Sequence, residues 1–270
     1  MFVSPMLLHS IKEPFDDENY ITELKFDGIR LILSKFDNQI KLYTRHNNEV
    51  TSKFPELLDL DIPDGTVLDG EVIVAAPGGA PDFEAVMERF MSKKSAHKIV
   101  YCVFDVIYKD GQSIAAKPLT ERKIVLNSLE LNHPNVFVIE GIQSNGLAYF
   151  NLAKEKNLEG IVLKKADSPY EINKRSHNWL KVINYDYTEV LIIGYTKKDI
   201  KFLLSYPDGV AAGFMEFMPH AERGKFHSMK QVKSESDEYV FIEPILCKVK
   251  HRFKTKHGKL RIPSFESWRV

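Results

Sequence analysis

A single lysine near the start of the chain stands two residues before an Asp-Gly pair, within residues 23–30 (ELKFDGIR). Apolar stretches of strand composition flank this segment, and Asp-Gly between two strands is a strong hairpin signal. The pattern predicts a hairpin with Lys25 at the end of its first strand. A lysine held there, partly desolvated beside other cations, can lose its proton near neutral pH and attack a phosphorus or carbonyl centre. Taken alone, the motif is more typical of a surface lysine beside a turn.

Five later segments each place charged or aromatic residues within an apolar, strand-like run. They are residues 43–48 (YTRHNN), 68–74 (LDGEVIV), 103–108 (VFDVIY), 158–165 (LEGIVLKK) and 176–182 (SHNWLKV). Taken singly, Glu71 and Glu159 are typical of acids beside turns, and Phe104 and Trp179 are typical of packing residues. The functional interpretation therefore depends on the whole series.

In this order and at these separations, the segments resemble the motif series of the covalent nucleotidyltransferases. The resemblance is closest to the compact ATP-dependent DNA ligases of bacteria and phages, and it covers nearly the whole chain. It implies three steps: AMP is transferred from ATP to a lysine, then to a 5′-phosphate at a nick, and a 3′-hydroxyl finally displaces it. The expected partner is nicked double-stranded DNA, and a monomer is expected.

The resemblance also implies which residues bind and activate the nucleotide. Lys25 would form the adenylated-lysine intermediate, and Phe104 would stack on adenine. The other expected contacts are Glu23 at the purine amino edge, Arg30 and Glu71 near the ribose, Arg45 at a nick or nucleotide phosphate, and Lys164 and Lys181 at the phosphate undergoing attack.

Two of the carboxylates are expected to bind a divalent metal. Glu71 and Glu159 could hold Mg²⁺ (or Mn²⁺), because Mg²⁺ prefers carboxylates and water as ligands. The metal and the lysines would relieve the repulsion between the triphosphate and its nucleophile. The expected cofactors are therefore ATP, as the AMP donor, and Mg²⁺.

The sequence departs from the family pattern at two places. Ile183 stands where a second lysine usually follows the Trp-x-Lys motif, so one cation at the phosphate is missing or comes from elsewhere, for example from Lys165. Arg269 matches the first position of a usual Arg-x-Asp-Lys motif, whereas its Asp and Lys are absent from the sequence. Slow self-adenylation is the expected consequence.

The predicted secondary structure changes after about residue 187, where short strands follow one another and helical patterns almost vanish. Residues 188–270 carry 15 Lys and Arg against 10 Asp and Glu. Five cations in this region alternate with other residues, which predicts a strand with one basic face: Lys248, Lys250, Arg252, Lys254 and Lys256. A solvated edge strand shows the same pattern, but the absence of acids between 248 and 261 favours contact with DNA phosphates. The expected DNA-binding residues are Lys248, Lys250, Arg252, Lys254 and Arg269.

The predicted fold class is α+β. A nucleotidyltransferase (adenylation) domain of antiparallel sheets with flanking helices is expected over 1–187, followed by an all-β OB-fold barrel that binds DNA over 188–270. Asp82 is predicted to cap a helix over 83–90, and Thr120 a helix over 121–126. A third helix is predicted from about 146 to 156.

Composition excludes several classes of protein. Lys and Arg balance Asp and Glu at 37 each, so the net charge identifies no partner. No apolar run is long enough to span a bilayer, and residues 1–5 lack the order of a signal peptide. Cys102 and Cys247 are predicted to be reduced core residues. A cytoplasmic protein is expected, associated with the nucleoid of a bacterium or phage-infected cell.

Three alternatives stay open. A capping guanylyltransferase shares the Lys-x-Asp-Gly core but uses GTP, and residues 176–181 (SHNWLK) favour the ligase over it. An RNA ligase is poorly separated by sequence. A non-catalytic relic that binds nucleic acid through its basic strand alone is the third, although the intact Lys25 and Glu71 argue against it.

Overall fold

The computed structural model describes residues 1–92 and 94–269, which form two compact units. The first unit is Met1–Asn184, and the second begins at Tyr185. Two sheets and three α-helices make up the described part of the first unit, whereas one sheet and a single α-helix make up that of the second.

The strands of the first unit are β1 (Leu7–Ser10), β2 (Tyr20–Lys25), β3 (Ile29–Phe36), β4 (Gln39–Thr44), β5 (Thr66–Val74), β6 (Ile99–Lys109), β7 (Gln112–Ser113), β8 (Val136–Val138), β9 (Ile142–Gln143), β10 (Gly160–Lys165) and β11 (Arg175–Ile183). Its helices are α1 (Phe83–Met91), α2 (Leu119–Ser128) and α3 (Gly146–Glu155). The second unit contains β12 (Asp186–Thr196), β13 (Phe202–Ser205), β14 (Ala211–Met215), α4 (His220–Met229), β15 (Val232–Glu235), β16 (Tyr239–His251) and β17 (Ser264–Trp268).

The first unit is built on two sheets with different strand orders. One sheet has the order β1-β11-β10-β2-β9, and the other has the order β4-β3-β5-β6-β7, with β8 added beside β6. Most pairs are antiparallel, while β1–β11 and β6–β8 are parallel. Apolar side chains of β3, β5 and β6, including Leu31, Leu68 and Val103, form a buried core with α1 and α2.

The Asp-Gly pair does not close a hairpin, so that prediction was wrong. Strand β2 pairs with β10 and β9 in one sheet, whereas β3 pairs with β4 and β5 in the other. Residues 26–28 therefore carry the chain from one sheet to the other. Gly28 is needed for its small size, because a Cβ atom there would lie 2.2 Å from the carbonyl oxygen of Val72 on β5.

We expect Gly28→Ala to destabilise the first unit by about 1–3 kcal/mol, because the added methyl group must displace the backbone of β5. Gly78→Ala is the matched control, since a Cβ atom at Gly78 would meet no atom within 4 Å. Urea unfolding of both variants checks the difference. Equal stability of the two variants would mean that β5 moves aside at no cost.

The helix predictions were confirmed in position but not in every detail. Helix α1 begins as expected, and its Asp82 side chain accepts a hydrogen bond from the Ala85 amide at 2.9 Å. Helix α2 begins at Leu119, before the predicted cap Thr120, and follows Pro118, which forms no side-chain cap. Pro118 has the non-helical ψ of +146° that ends the preceding segment, and its missing N–H costs the helix no hydrogen bond at this position.

The second unit is one twisted sheet of order β14-β13-β12-β16-β15, with β17 beside β16. Residues Tyr239–His251 form one continuous strand, β16, which passes through Pro244. Its pairing with β12 shifts register between Ile192 and Gly194, which accommodates the irregularity. Helix α4 was not predicted, because only Phe226 of its residues is buried and an apolar periodicity is missing.

Cys102 and Cys247 are both buried and free, as predicted. Burial raises the pKa of each thiol to about 12. Neither sulfur is therefore an activated nucleophile at neutral pH. Among the residues that the structure describes, every helix is too short or too polar to cross a membrane.

Candidate active site

Lys25 lies at the end of β2 and contacts a buried carboxylate on the neighbouring strand. Its Nζ donates a hydrogen bond to Glu159 Oε2 at 2.7 Å. The lysine side chain is 18% exposed, whereas the glutamate side chain is 1% exposed. Glu159 immediately precedes β10, where Gly160 is paired with Lys25 across the sheet. The strand pairing thus fixes the amine beside a group that can accept its proton.

Gly160 allows β10 to lie close to β11. Its φ is +145°, and a Cβ atom there would lie 2.0 Å from the carbonyl oxygen of Val182 on β11. A side chain at this position would therefore push β11 away from β10, the strand whose Gly160 is also paired with Lys25.

In the sheet of order β1-β11-β10-β2-β9, the strand register shows which side chains share a face with Lys25. Val162 of β10 is paired with Glu23 on one side and with Lys181 on the other. In the next row, Gly160 is paired with Lys25 and with Ile183. Because directly opposed residues share a face, Lys181 lies on the face that carries Glu23 and Lys25. Ile183, at the position where the family usually has its second lysine, is buried and lies in the same row as Lys25, with Gly160 between them.

A second carboxylate approaches this lysine from the other sheet. Glu71 of β5 lines the same pocket as Lys25. Withdrawal from solvent raises the pKa of the Glu71 carboxyl to about 7, although Lys25 and Arg30 oppose the shift, and the negative charges of Glu159 and Asp27 add to it. The carboxylates around Lys25 therefore repel one another, and a bound cation would relieve that repulsion.

Arg30 of β3 is held in place by a buried carboxylate. Its Nε and Nη2 donate to Asp69 Oδ1 and Oδ2 at 2.7 Å and 2.6 Å, and Nη2 also donates to the Met6 carbonyl at 3.1 Å. Asp69 in turn accepts a hydrogen bond from the Tyr170 hydroxyl at 2.5 Å. The two-point contact with Asp69 fixes the direction in which the guanidinium points. Asp69 lies within one of the sequence segments singled out above, but its role as the partner of Arg30 was not predicted.

The aromatic end of the pocket is formed by Phe104 and Trp179, whose ring centroids are 6.3 Å apart. The Lys164 Nζ lies over both rings, 4.5 Å from the centroid of Phe104 and 4.2 Å from that of Trp179. The Arg30 guanidinium lies 4.8 Å from the centroid of the Phe104 ring. Phe104 is half-buried and lines the pocket. A planar base could therefore stack on it.

Glu23 is the buried acid at this end of the pocket, and two lysines neutralise it. Lys123 Nζ is 2.5 Å from Oε1, and Lys164 Nζ is 2.6 Å from Oε2. Burial opposes ionisation of the carboxyl, but the two cations outweigh it and lower the pKa of Glu23. Burial lowers the pKa of Lys164 to about 8, although Glu23 opposes the shift. Lys123 was missed by the sequence analysis, because it lies on α2 in a segment with no recognised motif.

One pocket therefore collects most of the predicted nucleotide-binding residues. Its charged lining residues are Glu23, Lys25, Arg30, Glu71 and Lys164, and its apolar ones include Phe26, Phe104, Ile139, Val162 and Trp179. Arg45 lies elsewhere, on the exposed turn after β4, where its Nε is 2.8 Å from His46 Nε2. Among the described residues, no group of three or more His, Cys, Asp or Glu side chains is arranged to hold a metal alone.

The predicted DNA-binding residues of the second unit do not all lie on one strand. Strand β16 ends at His251, so only Lys248 and Lys250 share its outward face. Arg252 and Lys254 follow the strand, and Lys254 pairs with Leu260 in a separate bridge. The prediction of one alternating basic strand through residue 256 was wrong, because the chain turns back at residues 256–258.

Acids from neighbouring strands balance part of this basic surface. Glu189 of β12 is paired directly with Lys248 and lies 2.9 Å from Arg269. Lys250 Nζ is 3.3 Å from Glu266 on β17. Glu189 precedes the basic run and Glu266 follows it, so the lack of acids within the run gave no indication of them.

Aromatic rings accompany the same cations. Lys248 Nζ lies 4.9 Å from the centroid of Tyr187, which is 52% exposed, and Lys250 Nζ lies 5.5 Å from that of Tyr185. Cations beside exposed aromatic rings suit contact with a nucleic-acid backbone and its bases.

The first unit therefore joins a lysine held against a carboxylate, a further acid from the facing sheet and an aromatic slot with fixed cations. This arrangement, on two mostly antiparallel sheets followed by a β-rich unit, is typical of a covalent nucleotidyltransferase. A family model of the ATP-dependent DNA ligase domain matches residues 5–182, and the chain belongs to this family.

Relatives and solved structures agree with the family. The SPbeta prophage-derived DNA ligase-like protein LigB of Bacillus subtilis (strain 168) is 94% identical over 270 residues, which is 100% of both chains. The multifunctional non-homologous end joining protein LigD of Mycolicibacterium smegmatis is 26% identical over 92% of this chain, which spans 35% of that protein. A solved structure from work on Lig E DNA ligases has a TM-score of 0.69 at 20% identity, covering 99% of this chain and 100% of that one. This likeness confirms the predicted fold class, a nucleotidyltransferase domain followed by an OB-fold.

Proposed function

We propose that this chain is a DNA ligase that uses ATP to seal nicks between a 5′-phosphate and a 3′-hydroxyl through a covalent lysyl-AMP on Lys25. The observation that carries the proposal is the position of Lys25, with its Nζ 2.7 Å from Glu159 Oε2, in the lining of a pocket that also holds Glu71 and Phe104. We assign the adenylation domain to the unit Met1–Asn184.

In the first step, the Lys25 ammonium group gives up a proton to solvent, and the resulting amine attacks the α-phosphorus of ATP. A P–N bond forms, the P–O bond to the β-phosphate breaks, and pyrophosphate leaves with its electron pair. The proton lost by the amine passes to solvent or to Glu159, the acceptor nearest to Nζ. Phe104 positions the adenine, since stacking orients the base without entering the chemistry.

In the second step, an oxygen of the 5′-phosphate attacks the phosphorus of lysyl-AMP. The P–N bond breaks, and the Lys25 amine takes up a proton as it leaves. In the third step, the 3′-hydroxyl attacks the 5′-phosphorus and AMP departs, which leaves a phosphodiester bond. Lys181, on the same sheet face as Lys25, supplies positive charge against the phosphates.

The carboxylates around Lys25 fit a divalent cation. Glu71 and Glu159 would hold Mg²⁺, because Mg²⁺ in nucleotide sites takes one or two carboxylates together with water and phosphate oxygens. Burial is the main cause of the raised pKa of Glu71, about 7, and the charges of Glu159 and Asp27 add to it, so a bound cation would favour the ionised carboxylate. When bound, the metal would neutralise charge on the triphosphate.

Incubation with ATP or GTP labelled at the α-phosphate, with Mg²⁺, tests the proposal. Label that stays on the denatured chain after incubation with ATP supports it, and the P–N bond is expected to be cleaved by acid. Label from GTP instead would indicate a guanylyltransferase. No label from either nucleotide would indicate the non-catalytic relic.

We also propose that the second unit contacts DNA phosphates through Lys248, Lys250 and Arg252. Replacing all three with alanine should weaken binding to nicked duplex DNA and flatten its salt dependence, by roughly one unit of log–log slope for each phosphate that is no longer neutralised. Labelling of Lys25 should change much less. Fluorescence anisotropy at several salt concentrations measures the slope.

The double variant Lys197→Ala with Lys201→Ala is the matched control. Both lysines lie in the second unit, are exposed, and pair with Glu235 and Glu216 at 3.0 Å and 2.7 Å. A control whose salt dependence flattens as much as that of the triple variant would assign the effect to net charge rather than to these three residues. Equal loss of labelling and binding would also contradict the assignment.

A further inference from the structure

We propose that Lys123 is a positioning residue that fixes Glu23 as a hydrogen-bond acceptor, so that the pocket selects a purine with a 6-amino group over one with a 6-carbonyl. This inference rests on the proposed function, in which the pocket of the first unit binds a nucleoside triphosphate.

The contacts of Lys123 leave its amine little freedom. Its Nζ is 2.5 Å from Glu23 Oε1 and donates a hydrogen bond to the Ile139 carbonyl at 2.8 Å. The Lys123 side chain is 13% exposed, and that of Glu23 is 2% exposed. Ile139 and Glu23 both line the pocket. The Lys123 amine therefore links the Glu23 carboxylate to the Ile139 carbonyl, within the lining of the pocket.

The backbone that carries Lys123 is fixed by the neighbouring residue. Arg122 is fully buried, and its Nε and Nη2 each donate to Asp105 at 2.9 Å. Its Nη1 donates to the carbonyls of Lys117 and Ser168 at 2.6 Å and 2.9 Å. These bonds anchor α2 against β6, the strand that also carries Phe104. The distance between the base-stacking ring and Lys123 is thus set by rigid elements.

Lys164 alone cannot fix the orientation of the Glu23 carboxylate. It contacts the other oxygen of Glu23, at 2.6 Å, but its Nζ is also held over the rings of Phe104 and Trp179. Without Lys123, the carboxylate would keep one partner and could rotate toward it. With both lysines, each oxygen has its own cation, and the plane of the carboxylate is fixed.

A fixed carboxylate discriminates between purines by its chemistry. An ionised carboxyl group only accepts hydrogen bonds. Adenine presents a 6-amino donor, whereas guanine presents a 6-carbonyl acceptor. A guanine in the same position would set oxygen against oxygen in a buried site and leave both unpaired, and sites of this kind reject the mismatched ligand strongly.

The test compares Lys123→Met with Lys123→Arg in self-adenylation of the full chain. We expect Lys123→Met to raise the KM for ATP about tenfold and to lower the preference for ATP over GTP by about tenfold, with kcat within about threefold of the wild type. Lys123→Arg keeps the charge and should restore most of the preference. Lys117→Met, which removes an exposed lysine just before the same helix, should change neither quantity.

A double-variant cycle separates positioning from folding. If Lys123 acts through Glu23, adding Lys123→Met to Glu23→Gln should cause no further loss of preference. The double variant lacks both the Lys123 charge and the Glu23 charge, so it does not leave a buried carboxylate with one partner missing. It therefore tests the inference even if Lys123→Met alone fails to fold.

Two results would overturn the inference. The first is a Lys123→Met variant that keeps the wild-type preference, or one that loses kcat alone. The second is a double variant that discriminates as well as the wild type. Wild-type protein that takes no label from either nucleotide would instead overturn the proposed function, which distinguishes the two failures.

Discussion

Lys25→Ala should abolish transfer of AMP to the protein, because the described pocket offers no second amine in the position of Lys25 beside Glu159. Lys164, the other lysine of the pocket lining, is held between Glu23 and two aromatic rings. Loss of a nucleophile removes the covalent step entirely rather than slowing it. Label retained on the denatured chain after incubation with α-labelled ATP measures the effect.

Two controls separate chemistry from folding in this experiment. Lys25→Arg preserves the positive charge beside Glu159 but should also fail, since a guanidinium stays protonated at any pH the protein survives. Sealing of a nick that already carries AMP on its 5′-phosphate should continue in both variants, because that step does not use the lysine as a nucleophile. Label on Lys25→Ala at the wild-type level would contradict the proposed mechanism.

The motif series identified residues that share one pocket, but not the partners that hold them in place. Phe104, Glu71 and Lys164 were singled out by the resemblance of their segments to the motifs of a known family, and all three line the pocket. Lys123 lies on a helix with a weak pattern. Its contact with Glu23 depends on how α2 packs against β6, and local sequence does not encode that packing.

The turn after Lys25 shows how a local signal can be overruled. Asp-Gly between two apolar runs favours a hairpin, but β2 pairs with β10 and β3 pairs with β5, so the two strands do not pair with each other. Pairings between residues far apart in the chain cannot be deduced from turn propensity. The prediction of one basic strand through residue 256 failed because the chain turns back at residues 256–258. Acids from neighbouring strands, Glu189 and Glu266, also lie beside this basic run, and alternation along one strand gives no indication of them.

The largest loss of stability is expected for Arg122→Ala. Arg122 and Asp105 are both fully buried, and the variant would leave the carboxylate without its two-point partner. Removing one member of a buried ion pair typically costs about 3–5 kcal/mol, because the other charge stays in the protein interior. The carbonyls of Lys117 and Ser168 would lose their donor as well.

Urea unfolding can measure this loss for the first unit alone. The chain has two tryptophans, of which Trp179 lies in the first unit and Trp268 in the second, so a Trp268→Phe background makes fluorescence report on the first unit. Lys117→Ala is the matched control, because its pair with Glu121 is about half exposed, and such pairs contribute under about 1 kcal/mol. The variant Arg122→Met with Asp105→Leu should recover part of the loss, since an apolar pair leaves no buried charge. If Arg122→Ala unfolded at the same urea concentration as Lys117→Ala, the buried pair would not anchor α2, and the fixed position of Lys123 would need another cause.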